Sequence, residues 1–208
     1  MQTSNNQQKR AFWLRQLYLW HWISSAACLI GMLLFAITGL TLNNSDHIEA
    51  KPVVSKQMVT LPATVMKDLH VEPATSKAPL PSAVSAWIAD TMDVNTANKP
   101  AEWSDGEVYV SLPRPGGDAW LTIDTESGEL NYELTKRGWV SYLNDLHKGR
   151  NTGTAWSWFL DVFSVAALVF SLSGLCLLYM HSSNRPSTWP LVGLGIVVPL
   201  VLAILFIH

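Results

Sequence analysis

The stretch LYLWHWISSAACLIGMLLFAITGLTL, running from Leu17 to Leu42, contains no Asp, Glu, Lys or Arg. As a helix rising about 1.5 Å per residue, it is long enough to cross a hydrocarbon core of about 30 Å. Two later runs qualify in the same way. Residues 155–180 carry one acid, Asp161, and residues 188–208 carry no Asp, Glu, Lys or Arg. We therefore expect transmembrane helices at 17–42, 155–180 and 188–208. The first is too long for a cleaved signal peptide, no small-residue cleavage site follows it, and partner spans lie downstream. Composition agrees. Apolar residues make up 49% of the chain and charged residues only 14%, too few charges for an ordinary soluble domain.

Charge placement orients these spans. Every acid lies between Asp46 and Asp161, whereas the tail 1–16 carries Lys9, Arg10 and Arg15, and the loop 181–187 carries Arg185. Basic residues in short flanking segments stay cytoplasmic. The amino terminus and the 181–187 loop are thus expected inside, and segment 43–154 and the carboxyl terminus outside. This suits a multi-pass protein of a bacterial inner membrane. The expected fold class is an α-helical integral membrane protein with a small α+β periplasmic domain inserted between helices 1 and 2. Cys28 and Cys176 both fall within the spans and read as packing residues, so no disulfide framework holds the external domain. No basic footprint for nucleic acid is present.

Within 43–154 the pattern changes along the chain. Residues 43–81 are rich in Pro, Lys, Thr and Ser and hold one short helix, Ala63 to Leu69. A second helix is expected over Pro81–Met92, with Ala83, Val84, Trp87 and Ile88 on one face. Strands follow at Glu107–Leu112, Trp120–Asp124 and Glu129–Glu133. They are separated by the turns Pro113-Arg114-Pro115-Gly116-Gly117 and Thr125-Glu126-Ser127-Gly128. Residues 138–148 read as an interfacial amphipathic helix with Trp139, Tyr142, Leu143 and Leu146 on its apolar face. Trp20, Trp22, Trp156, Trp158 and Trp189 read as membrane-interface anchors. Pro199 is expected to kink the third span.

Histidine placement carries the chemistry. His21 and His47 flank the first span, and His147 and His181 flank the second. In antiparallel helices, His21 and His181 share one membrane face and His47 and His147 the other. A histidine on each of two adjacent helices at one depth is the arrangement that bis-histidine haem ligation requires. The competing reading makes each an interfacial or loop polar residue. Gly39, in Thr38-Gly39, and Gly174, in Ser173-Gly174, allow close approach of a flat macrocycle or of a neighbouring helix. Arg150 is placed to neutralise a haem propionate, or to snorkel toward lipid phosphate. Asp161 is read as pairing with Arg150 or staying near the interface. His70 reads as solvent-facing, and His208 ends the chain.

Four segments, taken in order, resemble the PepSY-associated transmembrane helix family in its small three-helix type. They are Leu19-Trp20-His21-Trp22, Leu34-Phe35-Ala36-Ile37-Thr38-Gly39-Leu40-Thr41-Leu42-Asn43, Leu143-Asn144-Asp145-Leu146-His147-Lys148-Gly149-Arg150 and Ser173-Gly174-Leu175. The strand–turn–strand around Ile123–Glu129 looks like the end of a PepSY unit. The resemblance implies an inner-membrane protein with one or two b-type haems, related to ferric-siderophore reductases, with His21 and His147 as motif histidines. Where the family often has a further histidine, this chain has Asn44, and His47 follows three residues on.

The expected function is electron transfer across the membrane to a periplasmic acceptor, an iron chelate above all, as a ferric-chelate reductase or electron-transfer subunit. No nicotinamide or flavin motif is present, so a quinol or a partner protein is the expected donor. The alternative is a non-catalytic PepSY module in the bilayer that binds or regulates a periplasmic partner. The absence of a Met-rich or Cys-rich cluster argues against a metal transporter.

Overall fold

In a computed structural model, residues 2–48, 51–70 and 77–207 are described. His208 and the side chain of His70 lie outside that description. The chain divides into two compact units, one formed by 1–34 with 158–208 and the other by 35–157.

Three helices are long and apolar enough to cross a membrane. They are α1 (Gln2–Asn43), α5 (Thr154–His181) and α6 (Thr188–Phe206). The first extends well before Leu17. Gln, Lys, Arg, Ala and Leu dominate residues 7–16 with no Gly or Pro among them, so nothing in that segment stops the helix. Helix α6 continues through Pro199.

In the first unit the inward residues of α1 are small. Ser24 and Cys28 are buried, and Phe163 of α5 covers Gly31 so closely that a Cβ there would collide with its ring. Small residues let two helices approach closely where no hydrophobic force draws them together in lipid. Cys28 is therefore a packing residue, while Cys176 is exposed. The remaining large side chains of these helices, such as Ile30, Leu33, Val165 and Leu172, face outward. Apolar surface on this scale is what lipid covers.

The second unit holds a five-stranded antiparallel sheet in the order β1-β5-β4-β3-β2. Its strands are β1 (Val53–Thr60), β2 (Ala101–Ser104), β3 (Glu107–Ser111), β4 (Gly117–Asp124) and β5 (Glu129–Lys136). In sequence, β1 follows α1. The short helices α2 (Ala63–Met66) and α3 (Ser82–Met92) come next, and β2 to β5 lead to α4 (Trp139–Lys148). Alternation builds the core. Val108, Val110, Leu121, Ile123 and Leu130 point to one face and are fully buried under Val84 and Ile88 of α3. Each such side chain stabilises the domain by roughly 1.5–3 kcal/mol.

Two strands are additional to those expected. The β1 strand pairs along its whole length with β5, from Val53↔Lys136 to Thr60↔Glu129. As an edge strand it is almost wholly exposed, so its residues show no apolar–polar alternation. The β2 strand has four residues, fixed by Ala101, which is buried, and by Trp103, whose Nε1 donates to the Ala78 carbonyl at 2.7 Å.

The β4–β5 turn is closed by Asp124, whose Oδ1 accepts the backbone N–H groups of Ser127 at 2.7 Å and Glu126 at 2.9 Å. The Ser127 backbone bond foremost, then hydrogen bonding by the Ser127 side chain and, after it, the Glu126 backbone, hold the carboxyl below the usual carboxylate range against the opposing effect of desolvation. A depressed pKa adds stability above the unfolded value, about 3.9, and loses it as pH falls through the folded one. We expect faster amide exchange at Glu126 and Ser127 below about pH 4, beyond the intrinsic pH trend. Asp124→Asn should abolish that acid-linked step, and identical profiles for the two proteins would contradict this account.

Candidate functional site

Two histidines occupy matching seats, one in each unit. In the first, His21 projects from α1 onto α5. Its Nδ1 lies 3.0 Å from Ser173 Oγ and 3.2 Å from the Phe170 carbonyl, and its ring stacks on Phe170 at 4.7 Å. A Cβ at Gly174 would stand 3.1 Å from His21 Cε1, so the glycine makes room for the imidazole itself. In the second, His147 projects from α4 onto the end of α1. Its Nδ1 lies 2.7 Å from Thr38 Oγ1, its ring meets Phe35 at 4.8 Å, and a Cβ at Gly39 would stand 3.7 Å from its Cε1.

A carbonyl only accepts, so the Phe170 carbonyl makes Nδ1 of His21 the N–H donor and leaves its Nε2 lone pair available. At His147 the Nδ1 partner is the Thr38 hydroxyl, which can donate or accept. Among the described residues, Nε2 of His21 and of His147 has no hydrogen-bond partner. His181 has the same tautomer as His21. Its Nδ1 donates to the Leu177 carbonyl at 2.8 Å, and its Nε2 accepts from Tyr18 OH at 3.3 Å.

His21, Gly174, His181 and Arg185 line one cavity of about 690 Å³, within the roughly 300–1,000 Å³ range of cofactor sites. The structure thus brings His21 and His181 to one site. The residues fit a haem. Neutral imidazoles with Nδ1–H held by a carbonyl or hydroxyl are the usual state of metal-ligating histidines.

The other expected residues are placed differently. His47 is exposed in a 3-10 turn (Ser45–His47), and no contact joins it to His147 among the described residues. Asn44 folds back so that its Nδ2 donates to the Leu40 carbonyl at 2.9 Å, finishing α1. Arg150 lines a separate cavity of about 560 Å³ beside α4. Asp161 is exposed on α5.

Sequence reasoning missed Phe35, Phe170 and Tyr18, and saw Thr38 and Ser173 only as small residues. The signal was present as a repeat, since Phe35-Ala36-Ile37-Thr38-Gly39-Leu40 and Phe170-Ser171-Leu172-Ser173-Gly174-Leu175 share Phe-x-x-Ser/Thr-Gly-Leu. In both copies the Phe, the hydroxyl and the glycine lie within about one helical turn and receive one imidazole.

Three helices long and apolar enough to cross a membrane, together with a five-stranded antiparallel α+β domain, are the features of a multi-span membrane protein. Residues 12–208 match the PepSY_TM-like family, and the chain belongs to it. No curated protein and no solved structure matches the chain.

Proposed function

We propose that this chain is a b-type haem protein that carries electrons across a bacterial inner membrane to a periplasmic acceptor, a ferric chelate above all. The observation that carries this reading is the pair of equivalent seats, each holding a histidine through a hydroxyl at Nδ1 while Nε2 has no hydrogen-bond partner among the described residues. His21 and His181 would hold one group, with Tyr18 releasing Nε2 of His181. His147 would hold a second, with exposed His47 as its partner. A haem held in this way supplies one-electron transfer. The protein's part is to fix imidazole orientation and to raise ligand basicity through Ser173, Thr38 and the Phe170 carbonyl. The charge pattern of Lys9, Arg10, Arg15 and Arg185 supports an amino terminus on the inside. The sheet domain, carried between the first two spans, and the carboxyl terminus then lie on the periplasmic side. A quinol or a partner protein is the donor.

The purified full chain should show a low-spin Soret band that sharpens on dithionite reduction, and ferric citrate should reoxidise it. A colourless preparation from haem-replete cells would sink this reading in favour of a non-catalytic partner-binding module.

A further inference from the structure

Helix α4 is built inside out, and this observation is independent of the haem reading. Its polar residues Asn144 and Asp145 are buried, while Trp139 is 79% exposed and Leu143 43% exposed. Three bonds fix it at the ends of two spans. Thr41 Oγ1 donates to Asn144 Oδ1 at 2.8 Å, Thr38 meets His147 at 2.7 Å, and Trp156 Nε1 of α5 donates to the Leu146 carbonyl at 2.9 Å. This is where hydrocarbon meets headgroups, and an outward Trp suits that level.

The cavity of about 560 Å³ between α4 and the end of α1 is lined by Lys51, Arg137, Lys148 and Arg150, with Leu42 and Ile48 also in its wall. Its one acid, Asp145, is buried and already accepts the Gly116 N–H at 2.8 Å. Arg137 is paired with Asp118. Lys148 and Arg150 have no ion pair among the described residues. A second cavity on the other side of Trp139 adds Arg114 and Lys136 and no acid.

Unbalanced cations beside apolar walls, at the end of membrane spans, complement a group that is anionic at its head and apolar below. We propose that this cavity binds the phosphate headgroup of an anionic phospholipid. Lys148 and Arg150 would take the phosphate, Leu42 and Ile48 would meet its glycerol end, and Trp139 and Leu143 would rest among neighbouring acyl chains.

The test uses the full chain, stripped of lipid in a zwitterionic detergent. Phosphatidylglycerol, phosphatidylcholine or inorganic phosphate is added, and retention and thermal stability are read by native mass spectrometry and fluorescence. Phosphatidylglycerol should be retained and should raise the midpoint, whereas phosphatidylcholine and inorganic phosphate at equal concentration should not. The exposed pair Lys148→Gln/Arg150→Gln should weaken retention roughly 30-fold, from about fivefold per basic residue. The same charge change at Lys67→Gln/Lys99→Gln should leave retention intact. In the unmutated chain, raising salt from about 0.1 M to about 1 M should release the lipid. Equal stabilisation by inorganic phosphate or phosphatidylcholine, equal loss in both double variants, or salt-insensitive retention overturns the proposal.

Discussion

His21→Ala should eliminate the low-spin haem signal of its site, while the chain still inserts into the membrane. Insertion is driven by the apolar spans, and removing one imidazole leaves α1 free of Asp, Glu, Lys and Arg from Leu17 to Leu42. Ser173→Ala gives a graded companion result. It leaves Nε2 in place but removes the hydroxyl that accepts from Nδ1–H. Loss of such an outer partner weakens metal binding about 10- to 100-fold. It should also shift the reduction potential, and Ser173→Thr should restore both, since a threonine hydroxyl already meets a histidine Nδ1 at Thr38. Haem content and potential per chain are the measurements. Full occupancy in His21→Ala would remove His21 from the ligand set. An unchanged potential in Ser173→Ala would reduce Ser173 to a packing residue.

The second large effect concerns the joint between α4 and the sheet. Gly116 has φ +73°, and a Cβ there would stand 2.7 Å from Tyr142 Cβ and 2.8 Å from its Cα. The positive φ alone costs an alanine roughly 1–2 kcal/mol, and the crowding adds roughly 1–3 kcal/mol. Asp145→Ala attacks the same joint from the other side, leaving the Gly116 N–H without its acceptor for about 1–3 kcal/mol. Thermal unfolding of the full chain in detergent should show both losses, and the double variant should lose clearly less than their sum because they break one contact. Strict additivity would mean that the two residues act separately.

The three apolar helices were legible because a long uncharged run has few alternatives in water. Strands β3, β4 and β5 were legible because a half-buried strand alternates, as Val108 and Val110 do against Glu107, Tyr109 and Ser111. The β1 strand was not, because an almost wholly exposed edge strand shows no alternation, with Val59 alone in it packing partly against the core, and its partner residues on β5 lie 69 to 83 positions away. Helix α4 was read as an amphipathic, interfacial helix, but the bonds that seat its polar side were not legible. Amphipathicity fixes two faces without saying which one meets protein, and here Asn144 and Asp145 took the inner side through bonds to Thr41 and Gly116.

The histidines were legible singly, as ionisable groups at span ends. What holds them was not, since Ser173 and Phe170 lie about 150 residues from His21. The Phe-x-x-Ser/Thr-Gly-Leu repeat is too short to stand out unless one already looks for imidazole acceptors.

Asp145 and His147 stand two residues apart on one short, rigid helix. The first is fastened to the β3–β4 turn through Gly116, and the second rests on Thr38. The β3–β4 turn and the end of α1 are therefore stitched to opposite sides of the same helical turn, and the address of His147 is written jointly by a sheet residue and a span residue.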